Sequence, residues 1–235
     1  MLQTLINMLL IQMRHLFQTF LLMIILKIGF KLYKFRNIFR QIRFLYLILE
    51  IRMNTYETTP DNLPKPIDDG ACDHLIGMQL PNIDLRATNG STVNLSAGSR
   101  KTVVYCYPMT GKPGVPLPEG WDEIPGARGC TPQSCSFRDH HSELSALGAD
   151  VFGLSTQDTE YQKEMAERLH LPFLVLSDVN LQFCEAMKLP TFEVDGMRLV
   201  KRVTMIAENN IVVKVHYPIF PSDTDAMWVI EQLSY

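Results

Sequence analysis

The sequence predicts an α/β fold, a central mixed β-sheet flanked by helices on both faces. Three observations carry this expectation. Short apolar and β-branched runs bounded by turn residues alternate with longer stretches at helical spacing. The last two strands are joined by a tight turn, Asn209-Asn210, so antiparallel pairing is added to a parallel sheet. A C-x4-C pair, Cys130 and Cys135, opens one helix directly after the longest loop.

Thr55–Asp73 is rich in Pro and Asp and reads as a flexible lead-in, residues 53–74, to a body spanning 75–235. Leu80–Leu85 and Thr92–Leu95 flank Asn89-Gly90, a strong hairpin signal. Thr102–Tyr107 is a continuous apolar run of the buried-strand type. Pro108–Gly129 follows without periodicity, and a Gly/Pro-rich loop of that length inside a domain is usually functional or mobile. Phe137, Leu144 and Leu147 recur at helical spacing, so the helix that holds the cysteines is expected to run to about Leu147, with Gly148 as C-cap. Asp150–Ser155 is a strand, Thr159–Leu169 a helix, Phe173–Leu176 a strand and Asn180–Met187 a helix. Thr191–Val194, Val203–Ile206 and Ile211–Val215 read as strands, and Asp223–Leu233 closes with a helix. The chain has no internal repeats.

The chemistry concentrates in Gly129-Cys130-Thr131-Pro132-Gln133-Ser134-Cys135. Pro132 is tolerated only in a first helical turn, which places Cys130 at a helix N-terminus. Unpaired N–H groups and the helix dipole there favour a thiolate, the reactive form of cysteine. In an intact helix, residues five apart have Cα atoms about 8–9 Å apart, and a disulfide needs less than about 7 Å. The pair could bond only after the first turn unwinds. Two ordinary, partly buried thiols remain the bland alternative. A zinc site from Cys130, Cys135, His140 and His141 is disfavoured, because adjacent helical histidines point about 100° apart.

The 235 residues are 46% hydrophobic and 20% charged, enough for one domain plus an extension. Net charge is −3, but unevenly spread: residues 1–52 hold eight Lys/Arg against Glu50 alone, +7, and the rest holds 14 basic against 24 acidic residues, −10. An acidic body argues against nucleic acid as the main partner. Five cysteines, an odd number, do not read as a secreted disulfide framework and fit a reducing compartment. Met1–Arg52 is apolar and basic, and Leu16–Phe30 falls short of the roughly 20 apolar residues that a spanning helix needs. The preferred expectation is an upstream or unselected extension, with the native start near Met53 and a cytoplasmic protein. A membrane anchor with the domain facing the cytoplasm is second, and a segment lying on a membrane surface is third.

With these elements in place, the chain resembles the peroxiredoxins, in particular the peroxiredoxin Q or bacterioferritin comigratory protein branch. The resemblance rests on Val103–Pro108, Gly129–Asp139, Val151–Asp158, Phe173–Asp178 and Lys201–Ile206, and covers residues 75–233. It implies a thioredoxin fold. It also implies a thiol-specific peroxidase acting on hydrogen peroxide and organic hydroperoxides, with no cofactor and no metal. Cys130 would be the peroxidatic cysteine and Cys135 the resolving one, joined in an intramolecular disulfide that a thioredoxin-like dithiol reopens. Arg202 matches the family arginine that faces the peroxidatic sulfur, and Pro108 and Gly129 would shape the substrate site.

One departure stands out. The family signature is P-x-x-x-(T/S)-x-x-C, but Ala127 and Glu123 occupy those two positions, and residues 111–128 separate Cys130 from Pro108 and Thr110. The expectation is that this insertion loops out and that Thr110 still reaches the sulfur. Of the other thiols, Cys106 and Cys184 read as core packing and Cys72 as incidental. Trp121 reads equally as a lid and as the loop's own small core. The competing functional class is a thioredoxin-fold redox sensor or binding module without efficient turnover. Nothing in the sequence separates a monomer from a dimer.

Overall fold

Alternation of side chains along one strand organises the molecule. In the computed structural model, which describes Met13, Leu16, Pro60, residues 62–98 and residues 100–234, strand β3 (Lys101–Cys106) is apolar on both faces. Val103 and Tyr105, with Tyr107 just beyond, enter one core, while Val104 and Cys106 enter another. A strand buried on both faces has to lie inside a sheet covered on both sides. Around it are β1 (Asp84–Ala87), β2 (Thr92–Asn94), β4 (Ala149–Ser155), β5 (Leu174–Ser177), β8 (Val203–Glu208) and β9 (Ile211–His216). They form one seven-stranded sheet in the order β2-β1-β5-β4-β3-β8-β9. β3, β4 and β5 are mutually parallel, and β1–β2, β1–β5, β3–β8 and β8–β9 pair antiparallel. Asn209 and Asn210 both take positive φ in the β8–β9 turn, as a two-residue hairpin requires.

Helices cover the two faces unequally. α1 (Cys130–Asp139), α2 (His141–Ala146), α3 (Thr159–Arg168) and α5 (Asp225–Leu233) pack Phe137, Leu144, Met165 and Val229 against the Tyr105 side. α4 (Gln182–Ala186) packs Phe183 and Cys184 against the Val104 side, with Leu75 from the start of the body. The lead-in is tied to the body: the Asp69 carboxylate accepts from Lys201 Nζ at 2.9 Å and from Tyr217 OH at 2.8 Å.

Three elements differ from the sequence expectation. The helix holding the cysteines is broken at His140, whose φ and ψ of −100° and 6° leave the helical region. Its ring Nδ1 lies 2.9 Å from the Ser136 carbonyl and competes for the acceptor of the local helix ladder. Leu80–Ile83 is not part of β1, because Leu80 N–H is drawn instead to the Asn210 carbonyl. A further strand, β7 (Met197–Val200), pairs with β6 (Thr191–Val194) through Asp195-Gly196, both at positive φ. This hairpin forms its own two-stranded sheet.

The segment Pro108–Gly129 packs onto that hairpin. Trp121, in a 3-10 turn at Trp121–Glu123, is buried with Met109, Ala127 and Leu199, and its ring centroid lies 6.1 Å from that of Phe192. Met1–Arg52 and the start at Met53, on which the extension and anchor expectations rest, lie outside the described residues apart from Met13 and Leu16. Among the described residues, no helix is long and apolar enough to cross a membrane.

Close packing joins the sheet to the cysteine helix at one glycine. Tyr105 pairs across from Gly153, stacks on Phe137 of α1 with centroids 4.4 Å apart, and donates to Ser134 Oγ of the same helix at 3.2 Å. A Cβ at position 153 would lie 2.7 Å from Tyr105 Oη and 2.8 Å from its Cζ. The fully buried tyrosine has no room to retreat. Gly153→Ala should therefore destabilise by about 1–3 kcal/mol, a Tm drop of several degrees in thermal unfolding. An unchanged Tm would show that the ring has space to move.

Candidate active site

Gly129 ends the long loop in the left-handed region, φ +103°, a conformation that glycine adopts without strain. It turns the chain so that Cys130 becomes the first residue of α1. The Gly129 carbonyl accepts the first helical bond, from Gln133 N–H, and also the Ser222 hydroxyl at 2.8 Å. Pro132 sits where no intrahelical donor is needed. A second anchor holds the helix side: Ser136 Oγ donates to the Asp223 carbonyl at 2.6 Å.

The Cys130 thiol is 97% removed from solvent, and among the described residues its sulfur has two polar neighbours. Arg202 Nη2 lies 3.2 Å away and the Ala127 carbonyl 3.5 Å away. Arg202, in the connection between β7 and β8, is itself buried. Its Nη2 also faces the carbonyls of Gly126, Ala127 and Arg128 at 3.1–3.3 Å, and its Nη1 donates to Gln133 Oε1. Nε has no partner among the described residues. A full positive charge and a helix N-terminus thus converge on one sulfur.

The other buried thiols meet the opposite environment. Burial pushes Cys72 up to about 12, and the nearby Asp69 carboxylate adds to the effect. Burial likewise raises Cys106 and Cys184 far above the ordinary thiol range. These three are protonated packing residues of one core. Cys72 is more than incidental, since it is buried there beside Leu75. Cys135, on α1, is partly exposed, and both it and Cys130 are free thiols.

A cleft of about 10 Å³, room for one water-sized group, adjoins the sulfur. It is walled by Met109, Gly111, Leu117, Trp121, Arg128 and Thr131. The insertion therefore forms the roof of the site, and Trp121 serves both the roof and the loop's own cluster. Thr110, between two cleft residues, turns its N–H to Gln157 Oε1 at 3.0 Å and its hydroxyl to the same oxygen at 3.4 Å. Its hydrogen bonds go to Gln157 and, through its carbonyl, to Tyr161, not to the sulfur. Pro108, two residues past β3, accepts from Ser155 Oγ at its carbonyl at 2.9 Å. Among the described residues, no group of three or more His, Cys, Asp or Glu is placed to hold a metal ion.

Sequence reasoning missed the residues behind the site. Gln133 Nε2 donates to Asp225 Oδ2 at 2.6 Å, and Asp225 is fully buried at the start of α5. The available signals were a polar side chain one turn after Cys130 and an acid opening an otherwise apolar helix. Neither pointed to the other across 92 residues.

A redoxin family model matches residues 75–228. Peroxiredoxin Q, chloroplastic, of Oryza sativa subsp. japonica is 34% identical over 142 residues, 60% of this chain and 58% of that protein. Peroxiredoxin Bcp of Bacillus subtilis (strain 168) is 33% identical over 112 residues, 47% of this chain and 62% of that protein. The matches thus span less than two thirds of these relatives' lengths. Among solved structures, peroxidoxin BcpB from Mycobacterium tuberculosis superposes with a TM-score of 0.56 at 23% identity, covering 68% of this chain and 96% of that one. Xanthomonas campestris peroxiredoxin Q gives 0.52 at 19%, covering 73% and 96%. The sheet and its helices are the thioredoxin fold of these structures, and the chain belongs to the redoxin family.

Proposed function

We propose that the protein is a thiol peroxidase of the peroxiredoxin Q and Bcp type, reducing hydrogen peroxide and organic hydroperoxides. The observation that carries this reading is the Arg202 guanidinium 3.2 Å from the sulfur of a cysteine at a helix N-terminus. The relatives named peroxiredoxin Q and Bcp support it. The Cys130 thiolate attacks one peroxide oxygen, forming an S–O bond as the O–O bond breaks, and the departing oxygen takes a proton to leave as water or an alcohol. Arg202, itself buried, offers that departing oxygen positive charge where little solvent screens it. Its unpartnered Nε is an available donor. Thr110, whose hydroxyl proton is directed at Gln157, keeps an oxygen lone pair to accept the peroxide O–H. Pro108 and Gly129 shape the approach, one lying just past β3 and the other capping the start of α1.

Cys135 then condenses with the Cys130 sulfenic acid, releasing water and leaving a disulfide. The two residues lie within one continuous helix, so this step requires unwinding of its first turn. A thioredoxin-like dithiol reopens the bond by thiol–disulfide exchange.

Peroxide consumption with a thioredoxin system tests the reading. Cys130→Ser should abolish turnover, and Cys135→Ser should allow one turnover that ends in a trappable sulfenic acid. Absence of consumption by the unmodified protein would overturn the proposal in favour of a redox sensor. Separately, Thr110→Val should lower the second-order rate of Cys130 oxidation by about 10²-fold or more, the scale of one lost transition-state hydrogen bond. An unchanged rate would remove Thr110 from the mechanism without touching Cys130.

A further inference from the structure

Asp225 has no contact with solvent, and a carboxylate there is tolerable only if it is well satisfied. Three donors meet it. Gln133 Nε2 and Thr204 Oγ1 reach Oδ2 at 2.6 and 2.7 Å, and His216 Nδ1 reaches Oδ1 at 2.8 Å. The His216 ring keeps 22% of its side chain exposed and stacks on Trp228, with centroids 4.4 Å apart. An ionised carboxylate only accepts hydrogen bonds, so it dictates which end of the Gln133 amide faces it. The NH₂ group must turn to Asp225, and the oxygen is thereby presented to Arg202 Nη1. The other terminal nitrogen of that guanidinium is the one against the Cys130 sulfur. A continuous polar chain therefore runs from a solvent-touching imidazole on β9, through α5 and α1, to the thiol.

We propose that Asp225, held by His216, is a positioning residue for the chemistry of Cys130; this rests on the peroxidase reading above. It orients the Gln133 amide, which orients the guanidinium. It also ties down the first turn of α1, because Gln133 lies between Cys130 and Cys135. The same tie that supports the thiolate therefore opposes the step that follows. That step balances within the protein: the S–O bond of the sulfenic acid breaks, an S–S bond to Cys135 forms, and the hydroxyl leaves with the Cys135 proton as water. Asp225 and His216 thus set the balance between fast attack and fast resolution.

Asp225→Asn, His216→Phe and His216→Asn test this in the full chain. The first readout is the pH profile of Cys130 alkylation by iodoacetamide, followed by mass spectrometry of the Cys130 peptide. The charges around that sulfur are Arg202 directly, Arg128 in the cleft wall with its ion-pair partner Asp122 at 3.3 Å, and Asp225 through Gln133. Loss of the Asp225 negative charge by itself would lower the midpoint, so a rise reports lost positioning of Arg202; Asp225→Asn should move the midpoint up by about one pH unit, the size of a weakened charge contact, whatever happens to the plateau. The second readout is disulfide formation after a peroxide pulse, which should accelerate severalfold as the first turn loosens. His216→Phe keeps a ring on Trp228 but loses the donor, and should shift both readouts the same way by less. His216→Asn restores a donor and should return both toward wild type. A His216→Phe midpoint within about 0.2 unit of wild type, too small for an altered contact, or an Asp225→Asn midpoint below wild type, in folded protein, would overturn the proposal. If Asp225→Asn does not fold, the two variants at the partly exposed His216 decide alone. A wild type that alkylates but consumes no peroxide defeats the peroxidase reading, while the alkylation midpoints still decide whether Asp225 positions the thiol.

Discussion

One guanidinium holds the site together. Arg202 meets the carbonyls of residues 126–128, the amide of Gln133 and the sulfur of Cys130 at once. The end of the insertion, the start of the cysteine helix and the connection between the two sheets are thereby gathered on a single buried cation. A buried charge left without such partners would be strongly destabilising. The carbonyls offset part of the desolvation, and the remaining field is directed at the thiol. The residue that anchors the end of the loop is thus the same one that faces the thiol.

The rest of the fold makes that arrangement stiff. Period-two alternation on β3 sends one set of side chains to each core, and the chain just beyond the strand supplies Met109 and Gly111 to the cleft wall. Stacking of Tyr105 on Phe137 is worth about 0.5–1.5 kcal/mol beyond the area it buries, and it locks α1 against the sheet. Ser136 and Ser222 add two bonds between α1 and the turn before α5. The insertion is stabilised differently, by a satellite cluster around Trp121 that leans on the β6–β7 hairpin rather than on the main sheet.

The order of strands and helices was legible because burial on two faces leaves long apolar runs, as in Thr102–Tyr107 and Asp150–Ser155. Asn89-Gly90 and Asn209-Asn210 were legible because few residues accept positive φ. The break at His140 was not, since it depends on a ring nitrogen competing for a carbonyl one turn back. β7 escaped because Met197–Val200 is short and carries Arg198, although Asp195-Gly196 marked its turn. Within the site, Cys130 and Arg202 were recoverable from the motif and the strand that follows it. Partners such as Gln133 and Asp225 were not, because a hydrogen bond between residues far apart in the chain leaves no periodic trace. The course of the insertion, and so the direction of the Thr110 hydroxyl, is likewise decided by tertiary packing around Trp121 and Gln157.

The contact of Gly153 with Tyr105 constrains how this sequence can change over time. Tyr105 fills the space that a side chain at 153 would need, and its hydroxyl has a partner in Ser134 beside Cys135. Positions 105, 134 and 153 are thus coupled through one ring. A larger residue at 153 becomes admissible only after a smaller ring has appeared at 105, and that change leaves the Ser134 hydroxyl to find another partner. Descendants of this chain should therefore cross between such combinations in a restricted order, with the strand glycine changing last.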